Sequence, residues 1–260
     1  MAMTAFVATG FAQKKLVLYF SETGTTKTVA EELQKQLGAD IESIALEEPY
    51  SGNFQETIQR AQREKQEGIL PKLKALKSKV ADYDVIFLGY PIWSGIYASP
   101  IESLLKVYDF AGKTIVPFCT FGSGGLNTSS DALKKALPKA TIKAGYGVRA
   151  ARVASAPKEL DRFLKENGYI AGTVKPLPAY SEQKPVTDEE RAIFDAACSS
   201  YQFNLGTPQT CGKRTTDDSI DYEFKVKSRG FGGGAETTST IFVIVGKAAG
   251  AKPEFTQVVR

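Results

Sequence analysis

The sequence predicts an α/β protein built on a parallel sheet, followed by a smaller α+β module. Three observations predict the first part. Strand-length runs are almost wholly apolar, as strands are when helices cover both faces of a sheet, and each ends in a loop rich in hydroxyls or glycine. Directly after the first such loop, apolar residues return at helical spacing, so the chain passes from strand to helix.

The first run, Lys15-Leu-Val-Leu-Tyr-Phe20, leads into Ser21, Glu22, Thr23, Gly24, Thr25 and Thr26, four of which carry hydroxyls. Val29, Leu33 and Leu37 then mark a helix over Lys27 to Leu37. Its first N–H groups lack intrahelical partners, and they and the positive end of the helix dipole favour an anion. The loop lacks both the Gly-Lys-Ser/Thr ending of nucleoside triphosphate loops and the Gly-x-Gly-x-x-Gly dinucleotide pattern. Two readings fit it equally: a mononucleotide phosphate cradle, or an ordinary turn with Ser21 or Thr23 as N-cap.

The next strand, Val85 to Tyr90, ends in Pro91, Ile92, Trp93, Ser94, Gly95, Ile96 and Tyr97. Proline is expected to stop the ladder there, and Ser94-Gly95 to make a tight turn. Trp93 and Tyr97 should then be displayed where a flat ligand could meet them, and Trp93 is the only tryptophan. The plainer reading of each aromatic is hydrophobic filling. A third run, Thr114 to Thr120, leads into Phe121, Gly122, Ser123, Gly124 and Gly125, whose backbone can approach a ligand closely. In open α/β sheets, loops at the carboxyl ends of strands converge where the strand order reverses, and ligands bind there.

From about Lys14 to Tyr169 these residues resemble the flavodoxin family. Ser21 to Thr26 is similar to the family's hydroxyl-rich FMN phosphate loop, Gly89 to Gly95 to the loop over one face of the isoalloxazine, and Thr120 to Gly125 to the second flavin loop. The resemblance implies a flavodoxin-like five-stranded parallel sheet in the order 2-1-3-4-5, with FMN at the switch point. Asp40 to Leu46 then reads as the second strand and Ile142 to Val148 as the fifth. Pro157 to Asn167 reads as the closing helix, with Gly168 at its end. From the motif, a carbonyl in the Ser94-Gly95 turn is expected to accept a hydrogen bond from a protonated flavin nitrogen, with Gly95 easing a peptide flip. The alternative is that Gly95 merely makes the turn.

At 260 residues and 42% hydrophobic content the chain has room for two domains with packed cores. We divide it into an arm at 1–13, an FMN-binding domain at 14–170, a proline-rich linker at 171–186 and a module at 187–260. Thr187-Asp-Glu-Glu190 is a capping box for a helix to about Tyr201. Strand-like stretches follow at Pro208–Lys213, Ile220–Lys227, Thr237–Val245 and Glu254–Val259, with turn residues such as Gly230 to Gly234 between them. A helix followed by such a meander resembles a cystatin-like module. The inhibitor family's Gln-x-Val-x-Gly loop is absent, the nearest string being Gln209-Thr-Cys-Gly212, so protease inhibition is not carried over. All three ligand loops precede Gly172, so a chain ending there is expected to hold the cofactor as well as the whole chain does.

Residues 1–170 carry 22 Lys/Arg against 18 Asp/Glu, and residues 171–260 carry 11 of each, so the net charge of +4 lies in the first domain. Carrier flavodoxins are typically strongly acidic, which steers them onto basic reductases. This departure leaves room for a quinone or other small electron acceptor beside a redox partner protein. Nucleic acid is not expected, since Lys72, Lys74, Lys77 and Lys79, interleaved with Leu73 and Leu76, read as the solvated face of a helix.

Histidine is absent, which argues against zinc hydrolase sites and His-based triads, and the three cysteines make no Cys-x-x-Cys motif. No catalytic side chain and no metal site are assigned, so the chemistry must come from a cofactor. The small, apolar segment Met1 to Ala12 resembles the tail of an export signal without a basic start, with a short cytoplasmic arm as the alternative. If the chain is exported, Cys198 and Cys211 could pair and leave Cys119 a buried thiol; otherwise all three are core fillers. No run of about twenty apolar residues exists to span a membrane.

Overall fold

The computed structural model describes residues 13–229 and 236–260. The export-signal reading of residues 1–12 and the turn at 230–234 lie outside the described residues. The first domain runs β1 (Lys15–Tyr19), α1 (Thr25–Leu37), β2 (Asp40–Ser43), α2 (Phe54–Glu67), β3 (Val85–Trp93), β4 (Ile96–Tyr97), α3 (Ser99–Val107), β5 (Thr114–Phe121), α4 (Leu126–Ala136), β6 (Thr141–Ile142), β7 (Tyr146–Arg149) and α5 (Ala156–Glu166). β2, β1, β3 and β5 lie side by side and parallel, and β6 and β7 both pair with β5 as a broken fifth strand. The family's 2-1-3-4-5 order is present, with β4 an added hairpin arm on β3.

Side chains alternate across this sheet, so each face has its own core. Leu16, Leu18, Ile86, Leu88 and Ile115 pack on one face with Ile101 and Leu104 of α3 and Leu133 of α4. Val17, Val85, Phe87 and Val116 pack on the other with Val29 and Leu33 of α1 and Leu160 and Leu164 of α5. The helical period of α1 and α5 thus meets the twofold period of the strands. α5 ends as its sequence indicates, with Gly168 just past it at φ 71°.

Three local expectations are corrected. The fifth strand is interrupted because Pro117 of β5 lacks an N–H and its carbonyl oxygen would lie 2.5 Å from a Cβ at Gly145. The missing donor therefore faces the fifth strand, whose register gains one residue between Ile142 and Tyr146. β2 stops at Ser43 rather than Leu46; Leu46 instead makes an isolated antiparallel bridge with Leu73. That bridge also shows why Lys72 to Lys79 is no helix. Lys72, Lys74, Lys77 and Lys79 are exposed, and Leu73, Leu76 and Ser78 between them are less so, in a stretch that holds no helix. The helix lies earlier, at α2, where the Asn53 side chain accepts from the Gln55 and Glu56 amides.

The second domain holds β8 (Lys184–Pro185), α6 (Asp188–Cys198), β9 (Thr207–Thr215), β10 (Ser219–Arg229), β11 (Glu236–Gly246) and β12 (Glu254–Val259). These strands form one antiparallel sheet, ordered β12-β11-β10-β9-β8. The capping box of α6 is complete, with the Thr187 hydroxyl accepting from Glu190 N and the Glu190 carboxylate accepting from Thr187 N. Phe194 of α6 meets Phe224 edge to face in the core. Cys198 and Cys211 are free thiols packed in this core, and burial pushes the pKa of each up to about 12. Cys119, on β5, is free and buried in the core of the first domain. No helix among the described residues is long and apolar enough to cross a membrane.

The two domains touch. Salt bridges Arg152–Glu254 and Lys158–Asp218 cross between them, and Lys175 of the linker pairs with Asp217. They border a cleft of about 760 Å³ whose lining includes no residue of the three proposed loops. Its charges are largely spent on one another, which fits an interdomain strut rather than a ligand site.

Candidate functional site

The loops after β1, β3 and β5 meet at the carboxyl ends of the central strands. In the first, Gly24 caps α1 at φ 85°, a left-handed conformation that costs glycine little. Neither Ser21 nor Thr23 is the N-cap. The Ser21 hydroxyl accepts from the Lys27 amide at 3.2 Å, and the Thr28 amide donates to the Gly24 carbonyl. Gly24 has no side chain to offer, and the amides of Thr25 and Thr26 find no acceptor among the described residues. Thr23 is exposed, its hydroxyl 3.3 Å from that of Thr25. Glu22 is half-buried, and burial raises its pKa against the opposing pull of the Gly52 backbone and Arg60. Thr26 is not an open donor: its buried hydroxyl bonds Thr120 at 2.8 Å, tying the first loop to β5.

In the second loop, Pro91 does not end the strand. The ladder with β5 runs through Pro91, paired with Thr120, and the chain continues as a hairpin in which Ile92 faces Tyr97 and Trp93 faces Ile96. Ser94 at φ 48° and Gly95 at φ 85° make the two-residue turn, both left-handed as a primed hairpin turn requires. Ser94 is the only non-glycine residue with positive φ among the described residues, a local cost of the kind that collects at ligand sites. Trp93 is half-buried rather than freely displayed. Its ring lies edge to face with Phe20 at 5.8 Å and Tyr50 at 5.1 Å. Tyr97 is likewise half-buried, 5.9 Å from Tyr90.

The sequence reading missed the brace behind Trp93. Tyr50 donates to the Glu64 carboxylate at 2.6 Å, and Arg60 lies over the Tyr50 ring while donating to Glu64 and to the carbonyls of Glu48 and Pro49. Burial and the Glu64 charge raise the pKa of Tyr50 and keep it the donor. Only Asn53 as an N-cap before a helical stretch hinted at α2 in the sequence, and nothing local showed which way its residues would face.

The third loop follows Phe121, which is buried in the core and unavailable to a ligand. Gly122 is exposed, and Ser123, Gly124 and Gly125 are half-buried. Gly125 caps α4 at φ 124°, and a Cβ there would lie 2.7 Å from Ile92 Cγ2 and 3.4 Å from the Gly95 carbonyl oxygen. The second and third loops are therefore packed together.

Such a site suits an anion joined to a flat ring. A glycine-capped helix start offers two unpaired amides beside hydroxyls, with a strained hairpin bearing an indole on one side and a glycine-rich backbone on the other. This defines the class: an α/β protein with a mononucleotide-type site at the switch point of its sheet. The family model described as flavodoxin matches residues 14–163, and the chain belongs to the flavodoxin family.

Among solved structures, the chain is similar to a "putative flavoprotein" of Bacteroides uniformis ATCC 8492, with 26% identity over 58% of this chain and 99% of that one, at a TM-score of 0.52. A protein so described from Bacteroides eggerthii DSM 20697 shares 31% identity over 57% of this chain and 98% of that one, with a TM-score of 0.49. A flavoprotein of Lactobacillus acidophilus NCFM, solved in complex with FMN, shares 23% over 58% and 97%, with a TM-score of 0.47. No curated protein matches the chain.

Proposed function

We propose that the protein binds FMN across these three loops and serves as an electron-transfer protein. The unpaired Thr25 and Thr26 amides at a glycine-capped helix start carry the reading, because they supply an anion site that no side chain among the described residues fills. With the Thr23 and Thr25 hydroxyls they would hold the phosphate. Trp93, Tyr97 and the Ser94-Gly95 turn would border the ring on one side, and the Gly122 to Gly125 backbone on the other. Bound FMN supplies one- and two-electron transfer. The chain's part is to fix the ring, exclude water and set access to it.

A second reading, an FMN-dependent oxidoreductase acting on a quinone or other small acceptor, is favoured by the charge balance. A domain with more Lys/Arg than Asp/Glu lacks the acidic surface that guides carriers onto basic reductases. Stepwise photoreduction of the FMN-loaded protein, followed by absorption, separates the two. Two resolved one-electron steps support the carrier, while a single two-electron step with rapid reoxidation by quinone supports the oxidoreductase. Protein that takes up no FMN overturns both.

Trp93→Ala is expected to weaken oxidised FMN more than fully reduced FMN, and so to raise the reduction potential. An indole against the oxidised ring contributes about 0.5 to 1.5 kcal/mol beyond area burial, and added negative charge on the flavin opposes the same π face. Spectroelectrochemistry of the variant checks this. Unchanged potentials would assign Trp93 to packing against Phe20 and Tyr50.

A further inference from the structure

The second domain is fastened to the third loop. β12 is an edge strand, and an edge leaves backbone donors and acceptors that must find partners elsewhere. The Val258 amide donates to the Ser123 carbonyl, with N and O 2.6 Å apart. A Cβ on Gly124 would lie 2.3 Å from the Val258 carbonyl oxygen, so glycine is what allows the strand to come this close. Arg149, at the end of β7, reaches across the same junction. Its Nε donates to the Gly122 carbonyl at 2.7 Å and its Nη1 to the Phe255 carbonyl at 2.9 Å. The guanidinium lies 4.2 Å from the centre of the Phe255 ring, with Tyr201 at 5.7 Å.

We propose that Arg149 and β12 form a clamp that holds the Gly122 to Gly125 loop in its cofactor-binding shape, making the C-terminal module a supporting wall of the FMN site. Three glycines in four residues give this loop many alternative conformations, and the clamp occupies the carbonyls of Gly122 and Ser123. Ligand affinity falls in proportion to the fraction of protein whose loop is competent. Arg149 is thus a positioning residue. In place of the independence expected from the sequence, the cofactor site and the module are coupled. The inference rests on the FMN reading above for its ligand, though not for the clamp itself.

The test uses the full chain carrying Arg149→Ala, Arg149→Lys or Gly124→Ala, measuring hydrogen exchange at residues 122–125 without flavin and the affinities of FMN and riboflavin. Arg149→Ala and Gly124→Ala should speed exchange in the loop and weaken both flavins equally, by about tenfold, as expected if competent loops fall to about a tenth. Arg149→Lys, able to keep one of the two hydrogen bonds, should lie between. Equal weakening of both ligands distinguishes the clamp from a phosphate contact, whose loss spares riboflavin. Lower thermal stability with unchanged exchange and unchanged affinities would show the contact to be interdomain glue and overturn the proposal. Should the wild type bind neither flavin, the cofactor reading falls and loop exchange alone decides the clamp. If Arg149→Ala does not fold, Gly124→Ala carries the test, since Gly124 lies outside the left-handed region and alanine meets only the strand opposite.

Discussion

Thr25→Asp is expected to weaken FMN by about 30- to 1,000-fold while leaving the protein folded and slightly more stable. Thr25 is the first residue of α1 after the Gly24 cap, beside the amides assigned to the phosphate. A carboxylate there takes up those donors itself and repels the incoming dianion, costing about 2 to 4 kcal/mol in a partly dehydrated site. Without ligand, the same charge complements the positive end of the helix dipole and contributes about 0.3 to 1 kcal/mol. The variant should therefore unfold at a slightly higher temperature and lose FMN. Riboflavin, which has no phosphate, should bind nearly as it does to the wild type. Equal weakening of the two flavins would move the phosphate site elsewhere.

Gly125→Ala is expected to destabilise the protein by about 2 to 6 kcal/mol and to weaken flavin binding with it. At φ 124° the backbone is in a region that L side chains rarely adopt, and the new methyl would sit 2.7 Å from Ile92 Cγ2. Strain and overpacking each cost about 1 to 3 kcal/mol. Relief requires the 92–97 hairpin to move, and that hairpin carries Trp93. Gly122→Ala is the control, because nothing lies within 4 Å of its added Cβ and its φ is ordinary. Chemical denaturation of both variants checks the difference, and equal midpoints would refute the packing described for the second and third loops.

What the sequence showed and what it hid divide along a physical line. β1, the glycine-rich loop and the Thr187 capping box were legible because their signals are local: an apolar run, backbone permissiveness, a hydroxyl and a carboxylate three residues apart. The Lys72 to Lys79 segment misled because alternating leucines and lysines fit either period over so short a stretch, and only its bridge to Leu46 settles it. Pro91 misled because a proline ends a ladder only where its missing N–H was needed. Phe121 and Thr26 were assigned to the site by position in a motif, yet one is core and the other bonds Thr120. Trp93 lies on the loop after β3, where the sequence put it, and its brace of Tyr50, Arg60 and Glu64 depends on contacts some thirty to forty residues away in sequence. The Arg149 junction is remoter still, joining β7 to a strand more than a hundred residues on. No local pattern carries such contacts.

The central claim, FMN at the three loops, is tested most directly by titrating the full-length protein with FMN while following emission from Trp93, its only tryptophan. The account predicts saturable quenching at one FMN per chain, abolished by Thr25→Asp at the same concentrations and retained by that variant when riboflavin is the titrant. Saturable FMN binding with unaltered Trp93 emission, or quenching that survives Thr25→Asp undiminished, would contradict it.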